Sequence, residues 1–105
     1  MKHRLRRTFG SVDAILAPTT PVPAPSAVDL DFFATIREIT RFSLLWPAAN
    51  VPALAVPCGF SNGGLPLSFQ LAGPWFKEDV ILHLGHAFQT VTDHHLRIPT
   101  LPVQT

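Results

Sequence analysis

Residues 50–73 read NVPALAVPCGFSNGGLPLSFQLAG, two short apolar runs joined by a polar, glycine-containing connection and punctuated by prolines. The run ALAVP at 53–57 is too short for a stable helix and reads as a buried strand. PLSFQLAG at 66–73 alternates less cleanly but suits a second strand, and SNGG at 61–64 supplies the residues of the turn between them. Everything else in the chain is read outward from this pair.

Downstream, Val80, Ile81, Leu84, Ala87, Phe88 and Val91 recur at helical spacing and predict a helix over 77–92. Glu78 and Asp79 fall in its first turn, and His94, His95 and Arg97 follow its end, matching the helix dipole at both termini. The final IPTLPVQT reads as a tail. Upstream, Phe32, Phe33, Ile36 and Ile39 share one arc of a helix over 29–42, with Arg37, Glu38 and Arg41 opposite. Asp29 or Asp31 caps its start, and Pro47 limits how far it or a successor runs. VDAIL at 12–16 predicts a buried strand that feeds a stiff loop carrying Pro18, Pro21, Pro23 and Pro25. That loop sits between apolar elements and lacks flanking basic residues, so it reads as a connector rather than a ligand for an aromatic groove.

Eleven prolines keep the elements short. Charged residues make up 14% of the chain, against about 25% in an ordinary soluble domain. A free-standing domain this small buries only about 60–65% of its unfolded-chain surface and should be well charged outside. The shortage implies apolar faces meant for neighbours. A net charge of +1 gives no field that argues for nucleic acid. Four of the eight basic residues lie in MKHRLRR, which reads as a solvated helical turn; no apolar h-region follows it. No run approaches the roughly 18 apolar residues that span a bilayer. The single Cys58 has no partner for an internal disulfide, which fits a cytoplasmic setting.

Candidate chemistry is sparse. His83 and His86 have the spacing of a metal pair but no third ligand at a useful interval, so they read as exposed histidines and no metal is assigned. His94 and His95 are adjacent and diverge by about 100° in a helix, which favours capping or dipole contacts. Cys58 precedes Gly59 at a strand end with no assignable base, and reads as a packed thiol. Ser43 and Ser68 are isolated hydroxyls, and no G-x-S-x-G elbow is present. GGLP at 63–66 is a turn rather than a phosphate loop, so no cofactor site is assigned. Trp46 is the one substrate-binding candidate, as an apolar pocket wall, although large aromatics more often fill a core.

Several motifs occur in a fixed order: VDAILAPTTPVPAP, RFSLLWPAANVPALAVPCGF, GLPLSFQLAGPWFKED and TDHHLRIP. Together they resemble the C-terminal part of the amidase signature family, over about Arg4 to Pro102, with Gln70 and Glu78 at the expected places. Departures from the family pattern are Ser43 for threonine, Leu45 for proline, Pro47 for asparagine, Asn50 for glycine, Ser68 for glycine and His94 for tryptophan. The resemblance implies an α/β fold: the C-terminal part of a mixed β-sheet with flanking helices, incomplete alone, with residues 1–105 one fragment of a single amidase domain. It implies amide C–N bond hydrolysis or transfer by a Ser–cis-Ser–Lys triad that lies upstream of the matched part. No residue here takes a triad role, and the chain alone is expected to be inactive. It would complete the sheet and wall the cleft for a small-molecule amide. The expected partners are the missing N-terminal amidase region or a second copy, with neither nucleic acid nor membrane indicated. The alternative is a non-catalytic truncated product or interaction module, and Met1 directly before family-like sequence favours a truncated product. The resemblance does not choose between a general amidase and the amidotransferase component that makes amidated transfer RNA.

Overall fold

The computed structural model describes residues 1–100. Its elements are α1 (Lys2–Phe9), β1 (Ile15–Pro18), α2 (Phe32–Ile39), α3 (Leu45–Ala49), β2 (Ala53–Phe60), β3 (Pro66–Ala72) and α4 (Glu78–Thr90), closed by a 3-10 turn at His94–Leu96. The strands form one three-stranded sheet in the order β1-β3-β2. Both pairings are antiparallel, with Leu71 of β3 opposite Leu16 on one side and Leu54 on the other.

The SNGG turn forms as its residues predict. The amide of Ser61 donates to the carbonyl of Leu65 at 2.8 Å, and Gly64 donates back to Ser61 at 2.9 Å. Gly64 takes φ 87°, a conformation that costs a residue without a Cβ little. β2 runs three residues beyond the apolar run that announces it, to Phe60, because a bulge between Pro57 and Gly59 takes up the irregular stretch. Cys58 is the extra residue of that bulge. β1 is displaced towards the C-terminus relative to VDAIL: Val12 and Asp13 lie outside it and Pro18 ends it. Proline is tolerated at a strand end, and the ladder continues past it through the Thr19 amide, which donates to the Ser68 carbonyl at 3.2 Å.

Alternation along β3 gives the sheet two dissimilar faces. On one face Leu71 joins Val56 and Ile81 in a buried cluster, with Ala14, Leu54, Phe69 and Phe88 at its margin. α4 presses onto this face at Gly85, where a Cβ would lie 2.7 Å from Leu54 Cδ2 and 3.4 Å from Val56 Cγ2. On the other face Ala72 packs with Leu5, Trp46, Ala49 and Val51, and with the half-buried Phe9, Ile15 and Trp75. Leu5 anchors α1 here, so the basic N-terminal segment is a full helix with one buried contact rather than a solvated turn. Trp75 fastens the same cluster from outside: its indole N–H donates to the Ala49 carbonyl at 2.9 Å, its ring meets Phe9 edge-on at 6.2 Å, and Arg6 lies 5.8 Å above it.

The predicted 29–42 helix is shorter than its periodicity. Asp31 is the N-cap, accepting from the Ala34 amide at 3.3 Å, and α2 ends at Ile39 before a turn leads into α3. None of its residues is buried, and Phe32 and Phe33 remain 60% and 78% exposed. The apolar arc of α4 is likewise covered only along one edge, since Ile81 is buried while Leu84 is 39% exposed.

Global dimensions agree with these open faces. The radius of gyration is 16.1 Å, where a compact chain of 105 residues has about 13 Å. The accessible surface is 8011 Å², against about 5,800 Å² for a folded monomer of 11.5 kDa. Both edges of the sheet are unpaired among the described residues, but they differ in character. β2 carries Pro57 and the bulge, which interrupt a ladder, whereas β1 carries proline only at its last residue.

Candidate functional site

The polar contacts of the sheet converge at the C-terminal end of β1. Gln70 is 4% exposed, and its side-chain amide donates to the Pro18 carbonyl at 3.1 Å and to the Phe42 carbonyl at 2.7 Å. One buried amide thus ties the start of the proline-rich loop to the segment between α2 and α3. Beside it, Ser68 Oγ donates to Thr19 Oγ1 at 2.8 Å. A serine where the family pattern has glycine therefore adds a second tie on the same loop.

Past this point the loop and the distal sheet enclose a depression of about 440 Å³ lined by Leu16, Pro21, Val22, Cys58 and Phe69 among others. Cys58 is half-buried rather than fully packed, and among the described residues no other ionisable side chain shares its lining. This surface is an apolar wall. It lacks a nucleophile–base pair among the described residues.

The sequence candidates separate in space. Trp46 fills the cluster beneath Ala72, 6% exposed, and so belongs to the core instead of a pocket wall. Its indole N–H is buried without a partner among the described residues, at a cost of about 1–3 kcal/mol. His83 and His86 are exposed on α4. His94 and His95 do not cap α4, which ends at Thr90; they form a separate 3-10 turn, with His94 stacked on Phe88 at 6.3 Å. Ser43 Oγ donates to the Thr40 carbonyl at 3.4 Å within its own turn. Residue-type reasoning singled out no role for Trp75 or Gly85; the signal for Gly85 was a lone glycine on the apolar side of an otherwise strong helix.

Two departures from the family pattern acquire reasons. Asn50 ends α3 at φ 58°, a left-handed position that glycine fills without strain and asparagine tolerates. Pro47 stands in the first turn of α3, where amide donors have no intrahelical acceptor.

The profile of the Amidase family matches residues 1–82, across both sheet clusters and the Gln70 clamp. The chain belongs to the amidase family. Among its relatives, the A-subunit of glutamyl-tRNA(Gln) amidotransferase from Desulfatibacillum aliphaticivorans is 41% identical over 97 residues, covering 91% of this chain and 20% of the relative. That of Roseiflexus sp. (strain RS-1) is 40% identical over 107 residues, covering 99% of this chain and 21% of its own length. The crystal structure of the corresponding A-subunit of glutamyl-tRNA(Gln) amidotransferase from Thermotoga maritima superposes with a TM-score of 0.78 at 29% identity, over 87% of this chain and 20% of that one. The chain therefore spans about a fifth of the length of the relatives it matches. Its helices and three strands correspond to the C-terminal part of the amidase fold. No helix among the described residues is long and apolar enough to cross a membrane.

Proposed function

We infer that this chain is the C-terminal portion of an enzyme acting on an amide C–N bond, and that residues 1–105 form one piece of a single amidase domain. In that domain it supplies sheet scaffold and one wall of the substrate cleft. The Ser–cis-Ser–Lys triad comes from a region outside the chain, which either belongs to the same enzyme or is provided as a separate polypeptide. The observation that carries this reading is a well-formed sheet whose apolar faces stay open, superposing on one fifth of an amidotransferase component. The Gln70 clamp supports the wall role, because it fixes the loop beside the depression without offering any group that reacts. The relatives favour the amidotransferase branch over a general amidase, with a small-molecule amide as nitrogen donor, and the unpaired Cys58 fits a cytoplasmic setting.

The test is complementation. Purified chain incubated with an aryl amide should release no amine, and mixing it with the preceding four-fifths of an amidotransferase A-subunit should restore turnover. Turnover by the chain alone overturns the assignment of the triad elsewhere. A second reading, a non-catalytic interaction module, draws on the exposed Phe32 and Phe33 of α2; it gains if the chain binds the preceding region without restoring activity.

A further inference from the structure

The far end of the β2–β3 hairpin faces the closing segment His94–Pro99 across a cleft of about 600 Å³. Small-molecule sites usually occupy about 300–1,000 Å³. Phe60, Pro66 and Ile98 give it apolar walls, and His94, His95 and Arg97 give it polar ones. Among the described residues no carboxylate lines it, so the fixed charge of the cleft is the guanidinium of Arg97.

Two of these polar groups pack against aromatic rings. Arg97 lies 5.2 Å above the ring of Phe60. His94 stacks on Phe88 at an interplanar angle of 23°, and it fits against Gly59, where a Cβ would lie 4.0 Å from His94 Cε1. The Nδ1 atoms of both His94 and His95 are buried with no hydrogen-bond partner among the described residues. A proton on a buried, unpartnered nitrogen forfeits its solvation, so in the neutral ring the proton is favoured on Nε2, leaving each imidazole with one donor. Two imidazoles and a guanidinium lining the cleft beside apolar walls match a ligand with an anionic head and a flat body.

We propose that this cleft binds a small carboxylate or phosphate ester carried on an aromatic ring. Arg97 and the two imidazoles take the anion, and Phe60, Pro66 and Ile98 take the ring. Side chains packed against rings lose less freedom on binding, which favours affinity in so small a site. The site is independent of amide chemistry and stands or falls apart from it.

The experiment is a titration of the full chain with benzoate and with phenyl phosphate, followed through the imidazole resonances of His94 and His95. Inorganic phosphate and benzyl alcohol serve as controls. Saturable shifts in roughly the low-millimolar range are expected from at least one aromatic anion, and whichever saturates identifies the head group. Arg97→Gln should weaken that binding about tenfold, and Phe60→Ala should weaken the aromatic anions more than inorganic phosphate. Both side chains are exposed, so neither substitution disturbs the core. The proposal is overturned by the absence of saturable shifts, by equal shifts from benzyl alcohol or inorganic phosphate, or by unchanged affinity in Arg97→Gln.

Discussion

Gln70 and Phe42 are 28 residues apart in sequence, yet the Gln70 side-chain amide donates to the Phe42 carbonyl at 2.7 Å from within the sheet. That contact, with the second bond to Pro18, makes one side chain the junction between β3, the proline-rich loop and the entry to α3. Gln70→Leu keeps a similar volume but leaves two carbonyls unpaired, so a loss of about 1–3 kcal/mol is expected. Urea denaturation measures it, and faster amide exchange in the 18–23 loop should accompany it; a variant as stable as the parent would show that the clamp is dispensable.

Gly85 and Leu54 define how closely α4 approaches the sheet. Gly85→Ala gains about 1 kcal/mol of helix propensity, and the 2.7 Å approach falls on the tip of a side chain that can turn. Those terms nearly cancel. Gly85→Leu has no such relief and should destabilise by about 1–3 kcal/mol through overpacking against Leu54 and Val56. The paired denaturation midpoints check this, and an equal loss for both substitutions would contradict it.

Asn50 offers a test of backbone strain. Asn50→Gly should be neutral or stabilising by up to about 1 kcal/mol, because φ 58° suits glycine better than any side chain. Asn50→Val should cost about 1–2 kcal/mol or more, since a β-branched residue is disfavoured there. Thermal melting should place Asn50→Val below the parent chain and Asn50→Gly level with it or above it.

Phe32 and Phe33 are the largest exposed aromatic pair of α2, with ring centroids 5.5 Å apart in an edge-to-face arrangement. The double substitution Phe32→Ser, Phe33→Ser should alter stability by under about 0.5 kcal/mol, as surface changes do. It should reduce self-association by removing part of an uncovered apolar face. Sedimentation velocity at several concentrations reads the change, and an unaltered distribution would place the sticky surface elsewhere.

Much of this architecture was readable because residues 50–73 carry strand and turn chemistry in close succession, and because the helix over 77–92 has consistent period and end charges. The shortage of charge foretold the open faces that α2 and α4 now display. What periodicity does not carry is long-range partnership. Trp46 leaned towards the core with a pocket wall as the lesser reading, and its place is fixed by Leu5 from the other end of the chain. His94 and His95 follow a helix in sequence, but Phe88 and the distal end of β2 decide where they lie. Gln70 stood out only through its family position, since a lone polar residue in a strand gives no hint of which carbonyls it will meet.

The asymmetry between the two sheet edges limits how this chain aggregates. Hydrogen-bonded growth from β2 is obstructed by Pro57 and the kink at Cys58, while β1 has three non-proline residues in an open row. Two copies that met through β1 would turn both obstructed edges outward and terminate the ribbon. Edge pairing through β1 would therefore close at a pair instead of running on into a fibre.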